Sequence, residues 1–210
     1  MKILCSACLL GENCKYNGGN NYSEALARFI EQVSLMAKPQ TEDQFVNRAN
    51  SSKLKGAMKP MKPMESMESK TMGFMEPSKT AMGLGKTIME PIELVTGDRE
   101  SVVEIILVCP EVLGGLPTPR IPAEIVNGEV RTRDGQSVDR EFRQGAWQAL
   151  KIAREKQVDV AILQSRSPSC GVKEIYDGTF SGTRIAGSGI FASLLKDHGI
   201  EVIDVEDLIV

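Results

Sequence analysis

The stretch Glu104-Ile105-Ile106-Leu107-Val108-Cys109-Pro110-Glu111 decides the fold class. Its first five residues form a near-continuous apolar run, the pattern of a strand covered on both faces, and such strands belong to parallel sheets. The run stops at a thiol, a proline and an acid, so a loop opens where the strand ends. Upstream, Lys2 to Cys5 reads as a short buried strand. A loop with Gly11, Gly18 and Gly19 follows it, then a helix near Ser23 to Gln32 with Ala25, Leu26, Phe29 and Ile30 inward. Downstream, a Gly/Pro-rich loop from Pro110 to Pro122 leads to a hairpin from Glu124 to Thr132 that turns at Asn127-Gly128. The next helix places Phe142, Ala146, Ala149, Leu150 and Ala153 on one face. Val158 to Leu163 is another buried strand, and a Ser/Pro/Gly loop carries the chain through Cys170 to Ser188. A helix near Ile190 to His198 stops at Gly199, and Glu201 to Val205 makes the last strand. Alternation of this kind predicts an α/β, Rossmann-like three-layer fold with a mainly parallel sheet, whose ligands sit beyond the carboxyl ends of the strands.

The 210 residues fit one domain, and about 33–101 reads as an insertion within it. That segment holds eight of the ten methionines between Met58 and Met89, many Lys, Ser and Pro, and a duplicated pattern in which Met58-Lys-Pro and Met61-Lys-Pro precede Met64-Glu-Ser and Met67-Glu-Ser. It shows no sustained period and is expected to be poorly ordered. Hydrophobic residues make up 41% and charged residues 25%, the proportions of an ordinary globular chain. A net charge of -3 gives no electrostatic footprint for nucleic acid or an anionic membrane, so the expected partner is a small molecule. No apolar run approaches the roughly 18 residues of a membrane span. Met1 leads straight into strand-like sequence with no signal core, and the expected location is the cytoplasm.

Five cysteines in a reducing compartment point to metal binding, thiol chemistry or simple burial rather than to a disulfide framework. Cys8 follows the first strand, Cys109 ends the second, and Cys170 lies beyond the third. In a parallel sheet all three loops open on one edge, so thiols far apart in sequence are expected to converge. Thiolates favour iron-sulfur clusters, zinc or copper(I), and three of them leave one position open on a tetrahedral metal or on one iron of a cubane. Free cysteines are also common as small buried hydrophobes, and Cys5, alternating with Ile3 on its strand, reads as one.

Several motifs quoted in order carry a resemblance: Ser6-Ala-Cys-Leu-Leu-Gly11, Lys15-Tyr-Asn-Gly18, Cys109-Pro-Glu111, Gly115-Leu-Pro-Thr-Pro-Arg120, Ser167-Pro-Ser-Cys-Gly171 and Asp177-Gly-Thr-Phe-Ser-Gly182. Together they resemble the 2-thiouracil desulfurase family over about residues 1–32 and 102–210, with Lys15 and Asn17 standing where the family pattern has Arg and Asp. The resemblance implies a desulfurase whose [4Fe-4S] cluster is held by Cys8, Cys109 and Cys170, with the fourth iron free of protein ligands. It implies non-redox replacement of sulfur by water in a thiolated pyrimidine or similar small thioamide. A noncatalytic zinc or iron-sulfur module using the same cysteines is the alternative. Attack by water needs a base, and Glu111, two residues from a ligand, is the expected one, against its reading as a solvated loop glutamate. Ser167 and Ser169 are expected to donate hydrogen bonds to cluster sulfurs or to the substrate, or to shape the turn around Pro168. Arg120 is suited to balance the negative charge of a three-thiolate cluster, and Cys14 is a spare thiol or a fourth ligand.

Other motifs offer less. Gly83-Leu-Gly85-Lys86-Thr87 imitates a phosphate loop, but Thr80 stands where its first glycine belongs. Gly187-Ser-Gly189 before a helix suggests tight packing more than a dinucleotide site. The methionines at 58, 61, 64 and 67 have the three-residue spacing of copper(I) sites, yet Pro60 and Pro63 break any helix there. His198 sits at a helix C-terminus, away from any nucleophile.

Overall fold

A computed structural model describes residues 1–36 and 103–208. The region read as an insertion from residue 37 onward, its methionine pattern and the Gly83 motif lie outside the described residues. The central sheet contains β1 (Lys2–Ser6), β2 (Glu104–Val108), β5 (Val160–Leu163) and β8 (Glu201–Asp204), all parallel, in the order β2-β1-β5-β8. The expected α/β architecture with a mainly parallel sheet is therefore present. Register decides what the sheet presents at its edge. Ser6 pairs with Val108 and Cys5 with Ile162, so the carboxyl ends of β1, β2 and β5 lie level.

Strand alternation divides the apolar residues between two faces. Ile3, Cys5, Ile105, Leu107 and Ile162 pack with Leu26, Phe29, Ile30 and Val33 of α1 (Glu24–Met36). Leu4, Ile106, Val108, Ala161 and Leu163 pack with α3 (Asp139–Glu155) and α4 (Ile190–Asp197). The five expected apolar positions of α3 are all buried. Helix α1 continues a turn past Gln32 because Val33 extends its inward stripe. Its start is fixed by Ser23, whose Oγ accepts the Leu26 N–H at 3.2 Å.

The Pro110–Pro122 loop contains a short helix, α2 (Pro110–Leu113), with Pro110 at its first position, where the missing N–H costs nothing. The hairpin is β3 (Ala123–Val126) and β4 (Glu129–Thr132), with Asn127 and Gly128 at φ 50° and 84°, as its two-residue turn requires. A second hairpin, β6 (Glu174–Tyr176) and β7 (Arg184–Ala186), occupies sequence read as loop. Strands of three residues give too short an alternation to register.

Helices α2 and α3 meet backbone to backbone. A Cβ on Gly145 would fall 1.8 Å from the Pro110 carbonyl oxygen, and one on Gly114 would fall 2.0 Å from that of Glu141. Only glycine permits this approach, which seats the segment after Cys109 against the sheet.

Candidate active site

The chain runs from β1 outward to β2, then returns to β5 on the other side of β1. The loops after β1 and β5 therefore diverge at a topological switch point, where α/β sheets form their crevice. A cavity of about 880 Å³ opens there, and Cys8, Cys109, Cys170 and Glu111 all line it. A 3-10 turn, Ala7–Leu10, carries Cys8 just past β1, and the Cys8 carbonyl accepts the Asn21 N–H at 2.9 Å. Cys109 immediately follows β2. Cys170 follows a turn closed by Ser167, whose Oγ accepts the N–H groups of Ser169 (3.1 Å) and Cys170 (3.2 Å). That turn is pressed against the start of α4. Gly189 is needed because a Cβ there would lie 2.4 Å from the Ser169 oxygen.

Glu111 links the thiol loops. It is only 8% exposed. The Cys109 thiol donates to its Oε2 at 3.3 Å and the Ser167 hydroxyl to its Oε1 at 3.4 Å. Arg120 lies 3.9 Å from Oε1 and also donates to the Cys14 carbonyl at 3.1 Å. A buried carboxylate is tolerable with such partners and costly without them. The position rules out the solvated-loop reading of Glu111, and Arg120 sits at the site, paired with Glu111.

Cys14 lines the same cavity as Cys8 and Cys109, and the Cys109 sulfur lies 3.9 Å from its carbonyl oxygen. The contact with Cys109 favours its ionisation, but the contact with Cys8, burial and the nearby Glu111 charge outweigh it, and the thiol is pushed up to about 12. Cys109 is raised by its hydrogen bond with Cys14, then by burial and by Glu111. Burial raises Cys170 most, reinforced by Glu111 and opposed by the Ser6 and Ser169 side chains. Burial and the Glu111 charge thus both favour the protonated form of Cys14, Cys109 and Cys170. Among the described residues, no three His, Cys, Asp or Glu side chains form a group able to hold a single metal ion. Ser169 Oγ is buried with no hydrogen-bond partner of ordinary geometry.

Cys5 is fully buried in the sheet, as its alternation with Ile3 indicated. His198 caps α4 with Nδ1 2.8 Å from the Leu194 carbonyl, its ring edge-on to Trp147. The Gly187 segment offers no phosphate cradle, because the N–H groups of Gly189, Ile190, Phe191 and Ala192 donate to carbonyls of Gly171, Pro168 and Ser169. Sequence reasoning missed Ser6, whose Oγ accepts the Gln164 N–H at 3.0 Å and ties β1 to β5 beside Cys170. The available signal was a polar residue ending an apolar strand. It also gave no role to Asn21, whose Nδ2 lies 3.9 Å from the Cys8 sulfur.

This fold, with thiols at successive strand ends around a switch-point cavity, agrees with the family evidence. The model of the 2-thiouracil desulfurase family matches residues 88–207, more than half of the chain, and the chain belongs to that family. An uncharacterised Bacillus subtilis (strain 168) protein, YbbK, is 42% identical over 129 residues, spanning 57% of this chain and 83% of its own length. Among solved structures, the [4Fe-4S]-dependent thiouracil desulfidase TudS superposes with a TM-score of 0.61 at 28% identity, covering 99% of this chain and 92% of that one.

Proposed function

We propose that the protein is a desulfidase that hydrolyses the carbon-sulfur bond of a thiolated pyrimidine of the 2-thiouracil type, with Cys8, Cys109 and Cys170 holding a [4Fe-4S] cluster. One observation carries this reading: thiols from three strand ends line the same cavity as a buried, ion-paired glutamate. The donor set suits the group, since thiolates are the usual ligands of iron-sulfur clusters. When bound, such a cluster supplies a Lewis-acidic iron that stabilises departing sulfide.

The chain's own residues supply the proton handling. Glu111 takes the proton of the attacking water, and Ser167 and Arg120 hold its Oε1 in place. With Cys109 as a thiolate ligand, Glu111 Oε2, which now accepts from the Cys109 thiol, would be able to accept from water instead. The buried Ser169 hydroxyl, beside Cys170, donates to sulfur or to substrate. Water oxygen replaces sulfur at carbon, sulfide leaves, and no net redox change occurs.

The test is turnover by anaerobically prepared protein. 2-Thiouracil is expected to yield uracil and sulfide in equal amounts. Glu111→Gln should keep its iron and lose about 10²-fold or more in kcat. Iron-loaded wild-type protein that releases no sulfide from any thiopyrimidine would instead support a noncatalytic cluster module.

A further inference from the structure

The segment Asp177-Gly178-Thr179-Phe180-Ser181-Gly182 holds no thiol, yet its conformation is unusual. Phe180 takes φ 57°, a left-handed conformation that is unfavourable for a bulky L residue and survives only where the surroundings impose it. The imposing group is Glu124 on β3, a carboxylate only 8% exposed, whose Oε2 accepts the Phe180 N–H at 3.0 Å. The turn sits directly on that strand, since a Cβ on Gly178 would fall 2.7 Å from the Ile125 carbonyl oxygen. Strained backbone and a buried acid are each unfavourable alone. Together they place one half-buried aromatic ring in the wall of the cavity that Cys8, Cys109 and Cys170 also line. The Arg133 guanidinium lies 6.0 Å from the ring centroid, a further restraint on the ring.

We propose that Phe180 determines specificity by stacking on the planar ring of the substrate, and that Glu124 is a positioning residue that fixes Phe180 through its backbone N–H. The inference rests on the reading of this cavity as a pyrimidine site and adds the group that selects a flat heteroaromatic ring over an acyclic thioamide.

The test titrates uracil, the unreactive product, into cluster-loaded protein by calorimetry, alongside steady-state kinetics with 2-thiouracil. Phe180→Leu keeps apolar bulk without a π face. It is expected to weaken uracil binding about tenfold and to raise KM similarly, with iron content and kcat little changed. Phe180→Tyr, which keeps the π face, should bind uracil more tightly than Phe180→Leu. Glu124→Ala should weaken binding, and Glu124→Gln, whose amide oxygen accepts the same N–H, should restore it. Wild-type turnover combined with undiminished binding by Phe180→Leu overturns this inference alone. Failure of wild-type protein to bind or turn over either base overturns the pyrimidine reading with it.

Discussion

Cys5 and Cys8 stand three residues apart in different surroundings, because strand alternation sends Cys5 into the sheet while the chain has already left the strand at Cys8. Burial pushes the Cys5 thiol up to about 12. An unfolded thiol ionises from about pH 8.5 upward, so the folded state binds the extra proton between there and pH 12. Stability must therefore fall as pH rises through that window and is unaffected by Cys5 below it. Denaturant midpoints are expected to drop less between pH 8 and pH 10.5 in Cys5→Ala than in wild type. Equal slopes would remove burial of Cys5 as the cause. At this scale the sequence singled out Glu111 because it lies two residues from Cys109, and it lines the same cavity. The roles of Ser6, Asn21 and Phe180 escaped because each depends on a contact with a residue distant in the chain or on a backbone angle, neither visible in local pattern.

Apolar runs and the α3 stripe were readable as elements because burial on one or both faces leaves a period in the sequence. What glycine does between elements leaves no such trace. Gly145 is one of several residues on the buried side of α3, yet it lets the helix touch the Pro110 carbonyl. Gly145→Ala is expected to force α2 and α3 apart, costing about 1–3 kcal/mol and lowering Tm by several degrees. Because α2 carries Glu111 and follows Cys109 directly, iron loading should fall in the same variant. A thermal melt and an iron assay check both effects. An unchanged Tm would mean that the backbone contact is not close in solution. The short helix α2 and the β6–β7 hairpin were unread for a related reason: three or four residues cannot display a period.

For the whole molecule, repeated alternation of strand and helix specified a parallel sheet, and a parallel sheet specified that the loops after its strands share an edge. The strand order was not specified, since an apolar strand fits any interior place. It is the order β2-β1-β5-β8 that puts the switch point beside β1 and brings the Cys8, Cys109 and Cys170 loops around one cavity. On the proposed reading these three thiols jointly hold one inorganic centre, while Cys5 and Cys14 do not. Iron and acid-labile sulfide, measured on protein purified without oxygen, test it most directly. The account expects near four iron and four sulfide per chain in wild type. It expects Cys8→Ala, Cys109→Ala and Cys170→Ala each to lose most of both, with Cys5→Ala and Cys14→Ala close to wild type. Full iron and sulfide in any one of the first three variants would contradict it.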